Sequence, residues 1–411
     1  MKRFISHIWM FLVIVSCTSE IDSERGEADV FTKFYGTINQ DEAANLTASP
    51  DGGFVIVGTN EIELAEETLT KIHAIKIDGD GNVIWDRLFP DFENDVNTEG
   101  ERINYAGAAI APTDNGYIIV GDSIYNEENA DLLVLAITEN GEVVAVNTLA
   151  HGAGDLHGQA VAQTSTGNYV VLAGIENNSE PENMLVAQFD NSLQVMWQQE
   201  YGIGDQGAIS KSIYVAENEI TWAGTTVRSQ NEEDVRMIST PPNSKNAYFD
   251  ETVGLGSGHN ERGADIVKTP TGYAICGTTD DTMGGDNDIF LISLNNDGQI
   301  IWTQTFGGPG EEEGHALIYA ADNTLIVLGS TDSYGNGERD MLLVKTDLAG
   351  NVIWSAENEL EAKTFGGLND EFGATIKETA DGHLLVLGMA DFGDIGTMIL
   401  LKIRKDGTLE Q

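Results

Sequence analysis

Acidic residues recur at one point of a repeated pattern: Asp41-Glu42, Glu261, Glu311-Glu312-Glu313 and Asp370-Glu371, with Asp155 and Asp205 near the same point in their own stretches. Carboxylates gathered on one face offer the hard oxygen donors that Ca2+ takes, about six to eight at a time. Asp41, Glu42, Glu261, Glu312, Asp370 and Glu371 are therefore the candidate metal ligands. Two carboxylates at a fixed separation would instead suit a glycosidase, one as acid and the other as nucleophile or base. Recurrence weighs against that chemistry, because a catalytic pair breaks repeat symmetry and these acids follow it. A carboxylate in each connecting loop is also what the backbone asks for when side-chain oxygens accept N–H groups and fix a chain crossing.

Other chemistry-bearing residues are sparse. His151 and His157 flank Asp155, but no helical i, i+4 spacing presents them to one metal ion, and loop histidines are the default reading. Asp131, Asp234, Asp288 and Asp340, with Asn183 in the same place, each begin an apolar run; turn-fixing hydrogen bonds are the expected role. The chain has no Gly-x-Ser-x-Gly elbow, no His-Glu-x-x-His and no phosphate cradle in a strand-turn-helix setting. Its 21 Lys and Arg against 67 Asp and Glu leave a formal charge of −46 over 411 residues, which repels a polyanion and excludes nucleic acid as a partner. With 41% hydrophobic residues the chain has the apolar surface to fold despite that charge.

The scaffold that must position these groups is legible as a repeat. A turn dipeptide, an apolar strand and a closing glycine recur seven times, as in Asp51-Gly-Gly-Phe-Val-Ile-Val-Gly58, Asn115-Gly-Tyr-Ile-Ile-Val-Gly121 and Thr271-Gly-Tyr-Ala-Ile-Cys-Gly277. The closing glycines are Gly58, Gly121, Gly174, Gly224, Gly277, Gly329 and Gly388. β-Branched and aromatic runs bounded by Gly, Asn and Asp predict four strands per unit. Asp-Gly and Gly-Asn dipeptides ahead of Val83-Ile84-Trp85 and Val352-Ile353-Trp354 supply the positive-φ positions of tight hairpins. Four strands per unit, repeated about an axis, give the expected fold class: all-β, a seven-bladed β-propeller of four-stranded blades. The last unit stops short of its fourth strand. Phe31-Thr-Lys-Phe-Tyr-Gly36 matches Trp302-Thr-Gln-Thr-Phe-Gly307, so an N-terminal strand is expected to complete the last blade and remove the open edge.

Lys2 and Arg3 precede an apolar run from Phe4 to Val15, too short to span a bilayer and of the right length for a secretory signal. Ile14-Val15-Ser16-Cys17 ends that run and resembles a bacterial lipobox, which implies cleavage before Cys17 and lipidation of its thiol. Acyl chains there would hold the mature chain in outer-membrane lipid, on the periplasmic side or at the cell surface. The acidic stretch that follows is similar to the tethers of Bacteroidetes surface lipoproteins. The expected organisation is a signal peptide at 1–16, a tether at 17–28 and a propeller at 29–411. Asp122-Ser-Ile124 and Asp281-Thr-Met283 resemble bacterial O-glycosylation triplets.

The strands, glycine-aspartate turns and Trp anchors resemble the pyrroloquinoline-quinone-like propeller repeat over nearly all of 29–411. Quinoprotein dehydrogenases of that fold carry calcium, a catalytic carboxylate, a stacking Trp and a vicinal disulfide. Cys276 is the only cysteine besides Cys17, so that cofactor site cannot be assembled here. The resulting expectation is a monomeric, non-enzymatic binding or scaffolding platform for an envelope protein or glycan, with no catalytic residue and no cofactor beyond Ca2+ at the acids named above. The alternative is a carbohydrate-active enzyme using acids on the channel face; a third reading is an envelope-assembly factor, by likeness to the propeller lipoprotein of outer-membrane insertion machinery. The stretches Pro90 to Glu101 and Arg228 to Phe249 depart from the repeat and read as drift in permissive loops.

Overall fold

The computed structural model describes residues 30–409 apart from 64–66, 91–101, 126–128, 153, 178–179, 203–207, 228–231, 243, 245, 256–258, 281–286, 355–361 and 394. The expected signal peptide, Cys17, the tether, Asp205, the triplet at Asp281 and nearly all of the Pro90 insert lie outside these residues. The described chain forms seven separate four-stranded antiparallel sheets and no helix. Blades 1 to 6 are consecutive, at 41–89, 103–149, 155–201, 208–253, 261–306 and 312–365.

The seventh blade takes three strands from 371–403 and its outermost strand, β1 (Phe31–Tyr35), from the other end of the chain. Phe31 pairs with Lys402 and Tyr35 with Met398. The same strand stitches the neighbouring blade: Tyr35 donates its hydroxyl to the Gly81 carbonyl at 2.7 Å, and Lys33 reaches Asn82 Oδ1 at 2.8 Å. Chain closure therefore satisfies an edge that would otherwise present a row of unpaired backbone groups.

Strand alternation builds the core between blades rather than within one. The second and third strands are apolar on both faces, as in Gly272–Thr279 and Met341 to Val344, and facing blades interleave them. Each such Ile, Leu or Val contributes about 1.5–3 kcal/mol on burial, so the ring needs no covalent staple. The one described cysteine, Cys276, is a buried member of this packing. The Trp anchors stitch hairpins across blades. Trp85 Nε1 donates to the Glu139 carbonyl and Trp302 Nε1 to the Leu348 carbonyl, both at 3.0 Å.

One repeat assignment shifts by a residue. In blade 3 the position equivalent to the closing glycine is Ala173, not Gly174: Gly158 faces Ala173 as Gly107 faces Gly121 and Gly314 faces Gly329. With that shift Asn183, opposite Ile175, falls in line with Asp131, Asp234, Asp288 and Asp340. All seven first strands bulge just past this point, from Ala43/Asn45 in blade 1 to Gly373/Thr375 in blade 7. A bulge adds an unpaired residue and twists the strand, and in blades 1, 2, 3, 5, 6 and 7 that residue faces the axis.

Candidate functional site

The predicted acids sort into three sets. Asp41, Glu261, Glu312 and Glu371 share one register row at the start of the first strand in blades 1, 5, 6 and 7, and all are buried. Tyr105, Leu156 and Ala208 stand in that row in blades 2, 3 and 4. The row is thus acidic on one contiguous side of the ring and apolar on the other. Three of the acids accept a backbone N–H from four residues upstream: Thr37 N to Asp41 Oδ2 at 2.6 Å, Gly308 N to Glu312 Oε2 at 2.6 Å and Gly367 N to Glu371 Oε2 at 2.8 Å. Each carboxylate thereby fixes the loop that carries the chain from one blade to the next.

Asp370 belongs to the second set, one residue earlier, with Asn104, Asp155 and Asn260. Their side-chain oxygens accept the N–H of the residue just before the third-strand acid position of the preceding blade: Arg339 N at 3.0 Å, Thr70 N at 2.9 Å, Ala130 N at 2.9 Å and Glu233 N at 3.0 Å. This clasp explains why an Asp or Asn recurs there. Glu42 is the third case, an exposed residue whose recorded partner is the Gln40 amide at 3.3 Å.

Glu371 and Glu261 also meet the third-strand Asp of the preceding blade. A Cβ on Gly366 would lie 1.6 Å from Asp340 Oδ1 and 2.6 Å from Glu371 Oε2; one on Gly254 would lie 2.3 Å from Asp234 Oδ1 and 3.1 Å from Glu261 Oε2. Glycine is required so that two carboxylates can approach the backbone together. Burial pushes Asp340 up to about 6, and the charge of Glu371 adds to it, against the pull of the Asn336 N–H on Oδ2 at 2.7 Å. Burial likewise raises Glu371. Among the described residues, no group of three or more His, Cys, Asp or Glu is disposed to hold a metal ion.

The histidine readings change more. His151 turns to Glu200 at 3.2 Å, while His157 sits between Asp122 at 2.8 Å and Glu176 at 3.4 Å, so the loop pair does not converge with Asp155. His73 is not a loop histidine at all. It is 1% exposed and lies between Asp41, 2.6 Å from Nδ1, and Asp86, 2.8 Å from Nε2. Burial alone would lower its pKa, but the two carboxylates outweigh that and raise it. His73 lies within a continuously buried stretch, 72–77, and the apolar neighbours Ile72, Ala74, Ile75 and Ile77 carried that signal in the sequence. Ser123 of the first glycosylation-like triplet is buried within a central strand, out of reach of a modifying enzyme.

What the sequence reading missed is the axis. An axial channel of about 930 Å³ runs between the seven first strands. The residues that follow the bulges form a ring around it: Asn45, Ala109, Ala160, Ser212, Asp265, Ala316 and Thr375. Asp265 is the only charged member. Its Oδ1 accepts the Ser212 hydroxyl at 2.5 Å and the Ile266 N–H at 2.8 Å, and its Oδ2 accepts the Leu317 N–H at 2.8 Å, so it braces blades 4, 5 and 6. Burial raises its pKa, opposed by those donors and by Lys377. Aligning the seven first strands would have exposed Asp265, because its column otherwise holds only small neutral residues.

No family model matches the chain, and no curated protein matches it in sequence. Solved structures do resemble it. A protein of unknown function from Dyadobacter fermentans has a TM-score of 0.50 at 11% identity, over 91% of this chain and 98% of the other. A catalytically inactive virginiamycin B lyase from Staphylococcus aureus with quinupristin has 0.49 at 12% identity, over 91% and 99%. The Pseudomonas aeruginosa periplasmic gluconolactonase has 0.47 at 11% identity, over 79% and 84%. At such identities the likeness is one of fold, a β-propeller, and extends to nothing else.

Proposed function

We propose that the chain is an exported bacterial lipoprotein, held in outer-membrane lipid through Cys17, whose propeller is a non-enzymatic binding or scaffolding platform for an envelope protein or glycan. One observation carries the reading against a glycosidase. Asp41, Glu312, Asp370 and Glu371, the acids such an enzyme would draw on, are each engaged by a backbone N–H at a blade junction. A carboxylate that holds the fold in this way is poorly placed to trade protons with a substrate. No Ca2+ is assigned to them.

The topology also supports an orientation. β1 runs from Phe31, opposite Lys402 near the last third-strand turn, to Tyr35, so Val30 emerges on the hairpin face. The acid-lined junction loops lie at the other end of the strands, and a tether leaving from Val30 would direct them away from the membrane. The test is twofold. Cys17→Ser should release the protein from the membrane fraction, and the tethered propeller should recover a reproducible partner or glycan from an envelope extract. Recovery of nothing specific, or cleavage of an oligosaccharide panel by the purified protein, would overturn the platform reading.

A further inference from the structure

The axial channel is a sizeable cavity whose wall departs from repeat symmetry in a chemically coherent way. The bulge residues are mostly alanines, Ala44, Ala108, Ala264 and Ala374, which keep the bore wide. Between them stand two side-chain amides, Asn45 of blade 1 and Gln159 of blade 3, both partly accessible from the bore. Among the described residues neither amide makes a side-chain hydrogen bond to the protein. Each offers two N–H donors and a carbonyl acceptor to whatever fills the channel. Asp265 adds an acceptor at the same level: an ionised carboxylate has about four acceptor positions, and three are occupied by Ser212, Ile266 and Leu317.

We propose that this channel is a binding site for a short, uncharged, hydroxyl-rich ligand, an oligosaccharide of two or three residues. The proposal rests on the platform reading and names its ligand class. Hydroxyl groups both donate and accept, as the Asn45 and Gln159 amides require, and the C–H faces of a sugar ring suit a wall of alanines. The bore carries Arg262, Lys268 and Lys377 against Glu233, Asp265 and Glu313, so its own charges offset one another, and the charge of −46 on the whole chain opposes an anion. A cation gains little at Asp265, whose charge is already met by three donors and by the Lys377 ammonium of blade 7. A cavity of this size, whose wall sets alanines beside a few converging polar groups, falls in the range of small-ligand sites.

The experiment is ligand-observed saturation-transfer NMR with maltotriose, cellotriose and chitotriose, titrated against the soluble propeller. Saturation transfer to at least one of them is expected. The double variant Asn45→Ala/Gln159→Ala breaks no recorded protein hydrogen bond and should keep the melting temperature while weakening binding by about tenfold. Ala108→Trp, which fills the bore from blade 2, between the two amides, should abolish it. No transfer to any of the three sugars overturns the channel assignment, as does binding that survives Ala108→Trp unchanged. Either result leaves the platform reading to the envelope pull-down, which fails or succeeds separately.

Discussion

Asp340→Asn is the sharpest perturbation of the blade junctions. Asp340 is 1% exposed, its Oδ1 makes no hydrogen bond, and it shares the space beside Gly366 with Glu371. Its pKa is pushed from 3.8 up to about 6, first by burial and then by the neighbouring charge. Between those two values the native state holds a proton that the unfolded chain has released, so stability falls as pH rises through the interval and is flat above it. At ~1.4 kcal/mol for each factor of ten in proton affinity, ionised Asp340 costs the native state about 3 kcal/mol near neutrality. An amide keeps an oxygen for the Asn336 N–H and carries no charge. Asp340→Asn should therefore stabilise the protein by up to about 3 kcal/mol at about pH 8, and by almost nothing below about pH 3, where the wild-type acid is protonated in both states. Urea unfolding followed by tryptophan fluorescence, with EGTA present throughout, reads the difference in midpoint at each pH. A variant that is less stable at the higher pH, or equally shifted at both, would falsify the acid-pair account.

Further outcomes follow from the same contacts. In 15N spectra at neutral pH both nitrogens of His73 should be protonated, because each faces a carboxylate; a neutral tautomer would contradict the geometry. With a raised native pKa, His73 stabilises fully below its ordinary value and loses that contribution as pH rises through the native one. His73→Ala, which removes the imidazole from buried Asp41 and leaves it the Thr37 and Asn60 donors, should cost about 1.5–3 kcal/mol in urea unfolding at neutral pH. Gly366→Ala would drive its methyl into Asp340 Oδ1 and should lower the melting temperature markedly, whereas calcium removal by EGTA should leave the wild-type melting temperature where it is. The Cys276 thiol, buried and pushed up by that burial, should resist a thiol-reactive disulfide reagent until the protein unfolds; prompt reaction in the native state would refute its place in the core.

The blade count, the strand order and the N-terminal closure were readable because each rests on local chemistry that the sequence spells out. Turn residues at fixed offsets mark the hairpins, and Phe31 to Gly36 carries the same alternation as the fourth strand of blade 5. The junction acids were legible as repeats, but their division into loop-fixing and inter-blade sets was not. Asp370 and Glu371 are adjacent in sequence and do different work, because strand alternation points one toward Arg339 of the preceding blade and the other into its own loop. Asp265 and His73 were harder still. Each is a polar residue inside an apolar run, and what satisfies it lies on strands distant in sequence: Ser212 and Leu317 for one, Asp41 for the other. Only the ring brings those strands together.

The same ring explains where specificity can be written at low cost. A core position between blades touches two sheets, and a junction acid such as Glu312 holds its own loop and the Thr331 hydroxyl together, so substitutions there are paid in stability. The residues at and after the bulges line the channel, and a change of side chain costs least where, as at Asn45 and Gln159 and unlike Asp265, the side chain makes no bond to a neighbouring blade among the described residues. The column after the bulges stays small from Ala109 to Thr375 apart from Asp265, and the Asn45 and Gln159 amides stand there and beside it without protein partners among the described residues. The bulge recurs in every blade because it shapes the ring, and the unpartnered amides beside it are free to answer a ligand that enters the bore.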